Sequence, residues 1–271
     1  MILLPQVINP EISDDQIKSF CKLISQDVNV VIVPSEPRAK YWKDQADLIL
    51  DKDNIYEGVT RLKKEKVGLT ILINRYDGVD LPKNACRFLV IDGLPSVKRL
   101  IDKVEQVILM GSSRKAAQLI QKIEQGMGRG VRSSDDYCAV FLMGRNLTSQ
   151  LYAGGAMDKF SPATKAQIKL SDQLSEQIRG EGLSQIQEAV MYFLCRNQGW
   201  VSKSKGALAS LSYAASSKPD FITIAQRKAY NFAFVNNYNS AVNELINVIN
   251  KVDEKPLKSY LQQCLAEYVN F

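Results

Sequence analysis

The sequence contains no histidine, and none of its five cysteines is part of a CxxC pair. Without histidine, neither a Ser-His-Asp nor a Cys-His catalytic site can form, and no imidazole can act as a general base. The cysteines lie tens of residues apart, which argues against a zinc site, a disulfide framework and an iron–sulfur cluster. Any chemistry must therefore use Arg, Lys, Asp, Glu, Asn or Gln side chains or backbone amides, and no metal site is predicted.

Long apolar runs are also missing. The longest, such as Val30–Val33 and Leu69–Ile73, have the length of a strand and fall short of the roughly 18 residues that a membrane span needs. The segment Met1–Pro5 is too short for the apolar part of a signal peptide and has no basic stretch before it. These absences predict a cytoplasmic protein with no membrane span.

The composition places few limits on function. With 271 residues, of which 45% are hydrophobic and 24% charged, the chain can form one large domain or two smaller ones. Its net charge of +6 suits a partner with a phosphate backbone, but the same balance occurs in many unrelated proteins. Function must therefore be sought in local motifs.

Short apolar runs alternate with helix-like segments through the first half of the chain. The runs cover residues 28–33, 46–50, 69–73, 87–91 and 138–143. Ser13 with Gln16, and Asn54 with Glu57, have the spacing of a capping box that begins a helix. The pattern predicts a doubly wound α/β domain over residues 1–150, with a mainly parallel sheet covered by helices on both faces.

Beyond about residue 145 the pattern becomes mainly helical and predicts a helical C-terminal region over residues 151–271. Ser161 and Pro162 are residue types expected at the cap and the first position of a helix. Further helices are expected over residues 183–199, 221–234, 241–249 and 256–269. The stretch Ser202–Gly206, rich in Ser, Lys and Gly, is expected to be an exposed loop. Trp200 is the best candidate for stacking on a base, although the pattern is too weak to predict a site there.

The most informative segment is the octet QGMGRGVR, Gln125–Arg132, between an amphipathic helical stretch and the last apolar run. Its two arginines are three residues apart and can converge on one anion. Arginine suits this task because its planar fork of donors matches phosphate oxygens and stays charged at any cellular pH. The alternative is a glycine-rich surface turn whose arginines pair with Asp135 and Asp136.

A second informative segment is the loop Asn74–Pro82, which directly follows the apolar run Leu69–Ile73. Open α/β sheets place their ligand contacts at the carboxyl ends of the strands, and a polar loop with a central glycine fits such a position. The alternative is an ordinary turn, because Asp-Gly and Leu-Pro pairs are common in turns.

Together the two segments resemble motifs V and VI of superfamily 2 helicases. The GxD of motif V falls on Gly78 and Asp80. The QxxGRxxR of motif VI falls on Gln125, Gly128, Arg129 and Arg132, and residues 31–35 resemble motif IV. The resemblance covers residues 12–145 and implies the second RecA-like domain of an ATP-dependent helicase of the DEAD/DEAH type, closest to the DNA-repair branch. Asn74–Pro82 is called the motif V loop and Gln125–Arg132 the motif VI segment below.

The resemblance implies roles for the matching residues. Arg132 would be the arginine finger on the γ-phosphate of ATP, and Arg129 its partner on the same group. The nucleotide site would also include Gln125, Gly128, Gly78 and Asp80. Ser35, Asn74 and Arg75 would contact the nucleic acid, with single-stranded DNA favoured. Asn74 departs from the threonine that is usual in relatives, and Arg75 either adds a phosphate contact or pairs with Asp77.

Two motifs of a complete ATPase are missing from the sequence. No GxxxxGK followed by Ser or Thr occurs, so the lysine and the amide cradle for the phosphates are absent. The Asp253-Glu254 pair is expected to be a helix end and not a magnesium site. ATP with Mg²⁺ would therefore be held mainly by the first RecA-like domain of the same full-length protein, and this chain alone is predicted to be inactive. The alternative is a stand-alone nucleic-acid-binding or nucleotide-binding α/β module without motor activity.

Overall fold

A computed structural model describes residues 1–24, 29–97, 99–130, 136–209, 211–212 and 220–270. The chain forms two compact units. The first consists of Met1–Ser96 and Leu119–Ser212, and the second of Val97–Gln118 and Tyr213–Phe271. The domain boundary expected at residue 150 stays a prediction.

Within the described part of the first unit, six strands form one sheet in the order β1-β6-β5-β2-β4-β3. They are β1 (Ile2–Leu3), β2 (Asn29–Val33), β3 (Leu48–Leu50), β4 (Leu69–Ile73), β5 (Phe88–Asp92) and β6 (Ala139–Met143). Every neighbouring pair is parallel. The predicted fold class, a RecA-like doubly wound α/β sheet followed by helices, is confirmed.

The helices account for most of the remaining described residues. They are α1 (Pro5–Ile8), α2 (Asp14–Leu23), α3 (Glu36–Trp42), α4 (Ile55–Leu62), α5 (Leu100–Ile108), α6 (Ser113–Met127), α7 (Arg145–Tyr152), α8 (Pro162–Gln177), α9 (Leu183–Leu194), α10 (Gln198–Ala209), α11 (Phe221–Phe234), α12 (Tyr238–Ile249) and α13 (Lys255–Val269). None of these described helices is long and apolar enough to cross a membrane.

Strand β1 was not predicted, so the expected number of five strands is wrong. It has two residues, Ile2 and Leu3, which is too short for any hydrophobic period to be visible. The strand exists because it pairs with β6, where Ile2 lies opposite Val140 and Leu3 opposite Phe141. Its position at the edge of the sheet is therefore set by a partner far away in sequence.

Helices cover both faces of the sheet, which explains the uninterrupted apolar runs. All five residues of β2 are buried. Val30 and Ile32 belong to a core that also contains apolar residues of α4, α6 and α7. Val31 and Val33 belong to a second core with residues of α2, α3 and α9. Alternate side chains of one strand thus enter opposite layers.

Two of the predicted helix starts are confirmed in detail and one is not. The Ser13 hydroxyl accepts a hydrogen bond from the Gln16 amide, and the Gln16 side chain accepts one from the Ser13 amide. Ser161 likewise caps α8, ahead of proline at the first helical position. The capping box at Asn54 is wrong, because the Asn54 carboxamide bonds instead to the backbone of Asp51 and Ile49. Helix α4 still begins at the next residue.

The expectation of a loop at Ser202–Gly206 is also wrong, since helix α10 runs through it. Trp200 is buried, 8% exposed, and packs edge-on against Phe193 with 6.0 Å between the ring centroids. This burial excludes Trp200 as a surface for base stacking. Helix α10 buries one aromatic side chain, Trp200, and its stretch Ser202–Gly206 has the polar composition of a loop. The local sequence therefore does not predict that this stretch is helical.

The second unit has a helical core of its own. Leu109 packs there with residues of α11, α12 and α13, among them Ile222, Ala229 and Leu245. The predicted bounds of α11 agree with the structure.

The Glu254 carboxylate precedes α13 and accepts hydrogen bonds from the amide and hydroxyl of Ser113, so it lies at a helix end as expected.

Candidate functional site

The first group of candidate residues lies where β2 and β4 end. These strands are neighbours, and the Asn74 amide extends their ladder by donating to the Val33 carbonyl at 2.7 Å. Asn74 has φ +54, a left-handed conformation that asparagine tolerates better than most residues. Ser35 is the N-cap residue of α3, but its hydroxyl accepts no capping hydrogen bond from the helix. The structure thus brings Ser35 and Asn74 to one edge of the sheet, the edge at which α/β folds bind ligands.

Arg75 is a half-buried residue of the motif V loop, directly before the buried Tyr76. Its Nε is buried and has no hydrogen-bond partner among the described residues. A buried donor without an acceptor costs about 1–3 kcal/mol, which makes this nitrogen a candidate donor to a ligand. The ion pair with Asp77, the alternative expected for Arg75, does not occur among the described contacts.

Arg129 joins the motif V loop to the motif VI segment. Its side chain is 12% exposed. The Nε donates to the carbonyls of Gln125 at 3.0 Å and Tyr76 at 3.3 Å, and Nη1 donates to the Val79 carbonyl at 2.9 Å. In return, the Leu81 amide donates to the Arg129 carbonyl at 3.1 Å. The two segments, 50 residues apart in sequence, are therefore connected through one guanidinium group and its backbone.

Of the two GxD residues of the motif V loop, Asp80 lies beside this guanidinium and Gly78 forms the turn before it. Gly78 has φ +74, which glycine adopts without strain, and nothing lies within 4 Å of the position of a Cβ. This turn directs the Val79 carbonyl to Arg129. Asp80 is 61% exposed and its carboxylate lies 3.3 Å from Arg129 Nη1. Such an exposed ion pair adds little stability by itself.

Close packing holds the loop against the end of α6. A Cβ on Gly126 would lie 3.2 Å from the Ile91 side chain and 3.3 Å from the Tyr76 ring, so glycine permits the approach. The Tyr76 hydroxyl donates to the Gly93 carbonyl at 3.0 Å. Burial raises the pKa of Tyr76, which keeps this hydroxyl protonated and able to donate.

Of the two remaining predicted nucleotide residues, Gln125 is exposed and Gly128 is half-buried. The Gln125 side chain is exposed, and nothing lies within 4 Å of a Cβ at Gly128. Both could therefore approach a nucleotide without rearrangement. In the described ranges, no group of three or more cysteine or acidic side chains is placed to hold a metal ion. The roles of Gln125 and Gly128 in nucleotide binding stay predictions.

Arg132 and Asp135 lie outside the described residues, and Asp136 is the next residue that the structure describes. The Asp136 side chain is 1% exposed and pairs with Arg87 at 2.8 Å. The alternative of a surface turn is therefore wrong in its use of Asp136 as an exposed partner. Sequence analysis missed Arg87 and Asp136. The available signal was a charged residue directly before β5 and another three residues before β6.

A further feature missed from the sequence is a cleft of about 1120 Å³ at the carboxyl ends of β2, β5 and β6. Asp92 lies in its wall and is 2% exposed. Its Oδ2 accepts from Arg38 Nε and from Trp42 Nε1, both at 2.6 Å. Arg38 also donates to Asp14 at 2.6 Å. These contacts pair Arg38 with both Asp14 and Asp92, and they fix α3 to the sheet.

Comparison with known proteins adds one family. No curated protein matches the chain. Residues 38–163 match the family model of the helicase C-terminal domain. The matched span contains the motif V loop, Arg129 and the motif VI segment, and it begins after Ser35. The part of the chain that contains the motif V loop and the motif VI segment is thus similar to a helicase C-terminal domain.

Proposed function

We propose that this chain is the C-terminal motor half of an ATP-dependent superfamily 2 nucleic-acid helicase of the DEAD/DEAH type. The observation that carries the proposal is the bonding of Arg129 to the motif V loop inside the span that matches a helicase C-terminal domain. Residues 1–150 would be the second RecA-like domain and residues 151–271 a helical extension. A cytoplasmic location stays a prediction.

For the nucleotide, we assign Arg132 as the arginine finger and Arg129 as its partner. The resemblance of the motif VI segment supports both roles, and the contact between Arg129 and Asp80 supports a common site. Gln125, Gly128 and Gly78 complete the proposed nucleotide wall. ATP with Mg²⁺ would be held mainly by a first RecA-like domain, because positioning and charge stabilisation need the phosphate cradle that this sequence lacks.

For the nucleic acid, we assign Ser35, Asn74 and Arg75 as backbone contacts, with single-stranded DNA as the substrate. Their shared position at the carboxyl ends of neighbouring strands supports this assignment. The unpaired Arg75 Nε supports a contact to an acceptor such as a phosphate oxygen. Such contacts position a strand without reading its sequence.

The second candidate function is a stand-alone binding module without motor activity. Missing phosphate-cradle residues favour it, because the chain by itself offers only one wall of a nucleotide site. The two functions differ in what the motif VI arginines do. In a motor they accelerate hydrolysis, whereas in a module they contribute to binding alone.

The decisive experiment is Arg132→Ala in the intact helicase that contains this chain. We expect ATP binding to persist and nucleic-acid-stimulated turnover to fall roughly 10³-fold or more, the scale of an arginine finger. Arg61→Ala is the matched control, since Arg61 is 53% exposed and pairs only with its helical neighbour Glu65 in the described contacts. Near-normal turnover in Arg132→Ala would remove the motor assignment and leave the binding module.

A further inference from the structure

Helix α11 of the second unit exposes two aromatic side chains. The helix packs on the core of that unit through Ile222, Ala225 and Ala229. Tyr230 and Phe234 lie outside this core, and they are 51% and 76% exposed. The outer face of an amphipathic helix normally carries polar side chains. Large apolar groups that are exposed together on such a face are typical of a binding surface.

The two rings form a continuous row with a cation. The Tyr230 and Phe234 rings are stacked, with 6.2 Å between their centroids and 28° between their planes. The Arg227 guanidinium lies over the Tyr230 ring, 5.4 Å from its centroid. Residues three and four apart are neighbours on one face of a helix, so their spacing in the sequence produces this row. Arg227, Tyr230 and Phe234 are called the α11 stripe below.

The charge of this region favours an anionic partner. Helix α11 contains Arg227 and Lys228 and no acidic residue. Among the described residues no carboxylate pairs with Arg227, so its guanidinium can bind a phosphate without breaking an ion pair. The two segments of the second unit contain 11 Lys and Arg residues against 7 Asp and Glu residues. This unit therefore carries most of the net charge of +6.

We propose that the α11 stripe is a binding site for single-stranded nucleic acid. Bases stack on the Tyr230 and Phe234 rings, and Arg227 binds a phosphate of the backbone. A duplex keeps its bases stacked on one another, whereas an unpaired strand offers their faces to aromatic side chains. Because every base has such a face, the site holds a strand without reading its sequence. It goes beyond the proposed function, since none of its residues belongs to a helicase motif.

The first experiment measures the binding of a fluorescent oligothymidine strand to the 271-residue protein by anisotropy at low salt. Phe234→Ala should weaken binding by about 5- to 150-fold, the range for one stacked base, and Tyr230→Ala should act in the same way. Phe234→Trp keeps an aromatic face and should keep the affinity. Phe221→Ala is the matched control, because Phe221 is 51% exposed on the same helix but lies outside the stripe. Circular dichroism checks that each variant is folded.

Salt dependence separates the role of the guanidinium from that of the rings. A phosphate contact releases counterions from a single strand. Arg227→Ala should therefore make the slope of log affinity against log salt concentration less steep by about 0.7. Phe234→Ala should lower the affinity at every salt concentration and leave the slope unchanged, because stacking displaces no counterion. A loss of structure in α11 would not separate the two variants in this way, so equal slopes in Arg227→Ala and the wild type would contradict the phosphate contact.

Photochemical crosslinking tests the contact in the wild-type protein. A strand that carries iodouracil should crosslink to Tyr230 or Phe234, as mass spectrometry of the digest can identify. Crosslinks confined to the first unit would overturn the inference, and so would wild-type affinity in both Tyr230→Ala and Phe234→Ala or no strand binding at low salt. Unchanged affinity in those variants would identify the stripe as a surface for a protein partner. None of these outcomes depends on Arg132→Ala, which tests the motor separately.

Discussion

Replacing Gly130 with alanine tests how tightly the motif VI segment packs on the sheet. A Cβ at this position would lie 2.6 Å from the Cys138 sulfur, 2.9 Å from the Cys138 Cβ and 3.7 Å from the Cys86 carbonyl oxygen. Ordinary contacts begin near 3.4 Å, so the atoms must separate by close to 1 Å. Cys138 immediately precedes β6, which is paired on both sides and cannot easily move. We expect a loss of about 1–3 kcal/mol in the free energy of unfolding, the usual cost of overpacking.

Gly128→Ala is the matched control, two residues earlier in the same 3₁₀ turn. Nothing lies within 4 Å of its Cβ position. Alanine there should leave stability unchanged or raise it by about 0.4–1 kcal/mol through the unfolded state. Denaturant unfolding of the two variants can be followed by tryptophan fluorescence. Both tryptophans, Trp42 and Trp200, are buried in the first unit.

A second substitution identifies the cause of the loss. Cys138→Gly removes both atoms that the new methyl group would meet. Gly130→Ala should therefore cost less in the Cys138→Gly background than in the wild type, with a coupling energy of about 0.5–3 kcal/mol. Equal stability of the Gly128 and Gly130 variants, or equal costs in the two backgrounds, would refute the packing described for this segment.

Three other predictions follow from single contacts. Iodoacetamide should modify the exposed Cys195 in the native protein and spare Cys86, because burial raises the pKa of the Cys86 thiol. Mass spectrometry after digestion measures the labelling of each cysteine. Equal labelling of the two would contradict the burial of Cys86. Asn74→Ala should weaken single-strand binding by at most about 1.5–3 kcal/mol, in a salt-dependent way and equally for all base sequences, so a base preference lost on mutation would exclude a backbone contact. Burial acts to raise the pKa of Asp47, but Lys22 lowers that pKa below its usual value. Asp47→Asn should therefore reduce the free energy of unfolding above about pH 4. This reduction should shrink as the pH falls through the pKa of Asp47 in the folded protein. A stability difference that persisted at the acid end of a pH series would show that the carboxylate charge is not responsible.

The first half of the fold could be predicted because its strands are buried on both faces. β4 and β5 then appear as continuous apolar runs, whatever their neighbours in the sheet are. Helix α11 was equally well marked, since Asp220 caps it and the apolar period starts at Phe221. Local chemistry was sufficient in these places, because tertiary packing agrees with it.

The candidate site was predictable only as a list of residues. The sequence places Gly78, Asp80 and Arg129 in motifs, but it does not show that Arg129 binds the carbonyls of the motif V loop. That arrangement depends on Gly126 letting α6 approach Tyr76, and both residues must be in place before the contact exists. Asp136 looked like a surface charge because its partner Arg87 is 49 residues away.

The amino-acid sequence by itself determined which segments are strands or helices wherever burial or capping leaves a local period, and which residue types are chemically suited to bind a phosphate. Tertiary structure alone decided the pairing of β1 with β6, the helical state of Ser202–Gly206, the burial of Trp200 and the grouping of residues 97–118 with the C-terminal helices. The physical reason is the same in each case. These features are stabilised by contacts between segments far apart in the chain, and such contacts leave no period or spacing in the segments that make them.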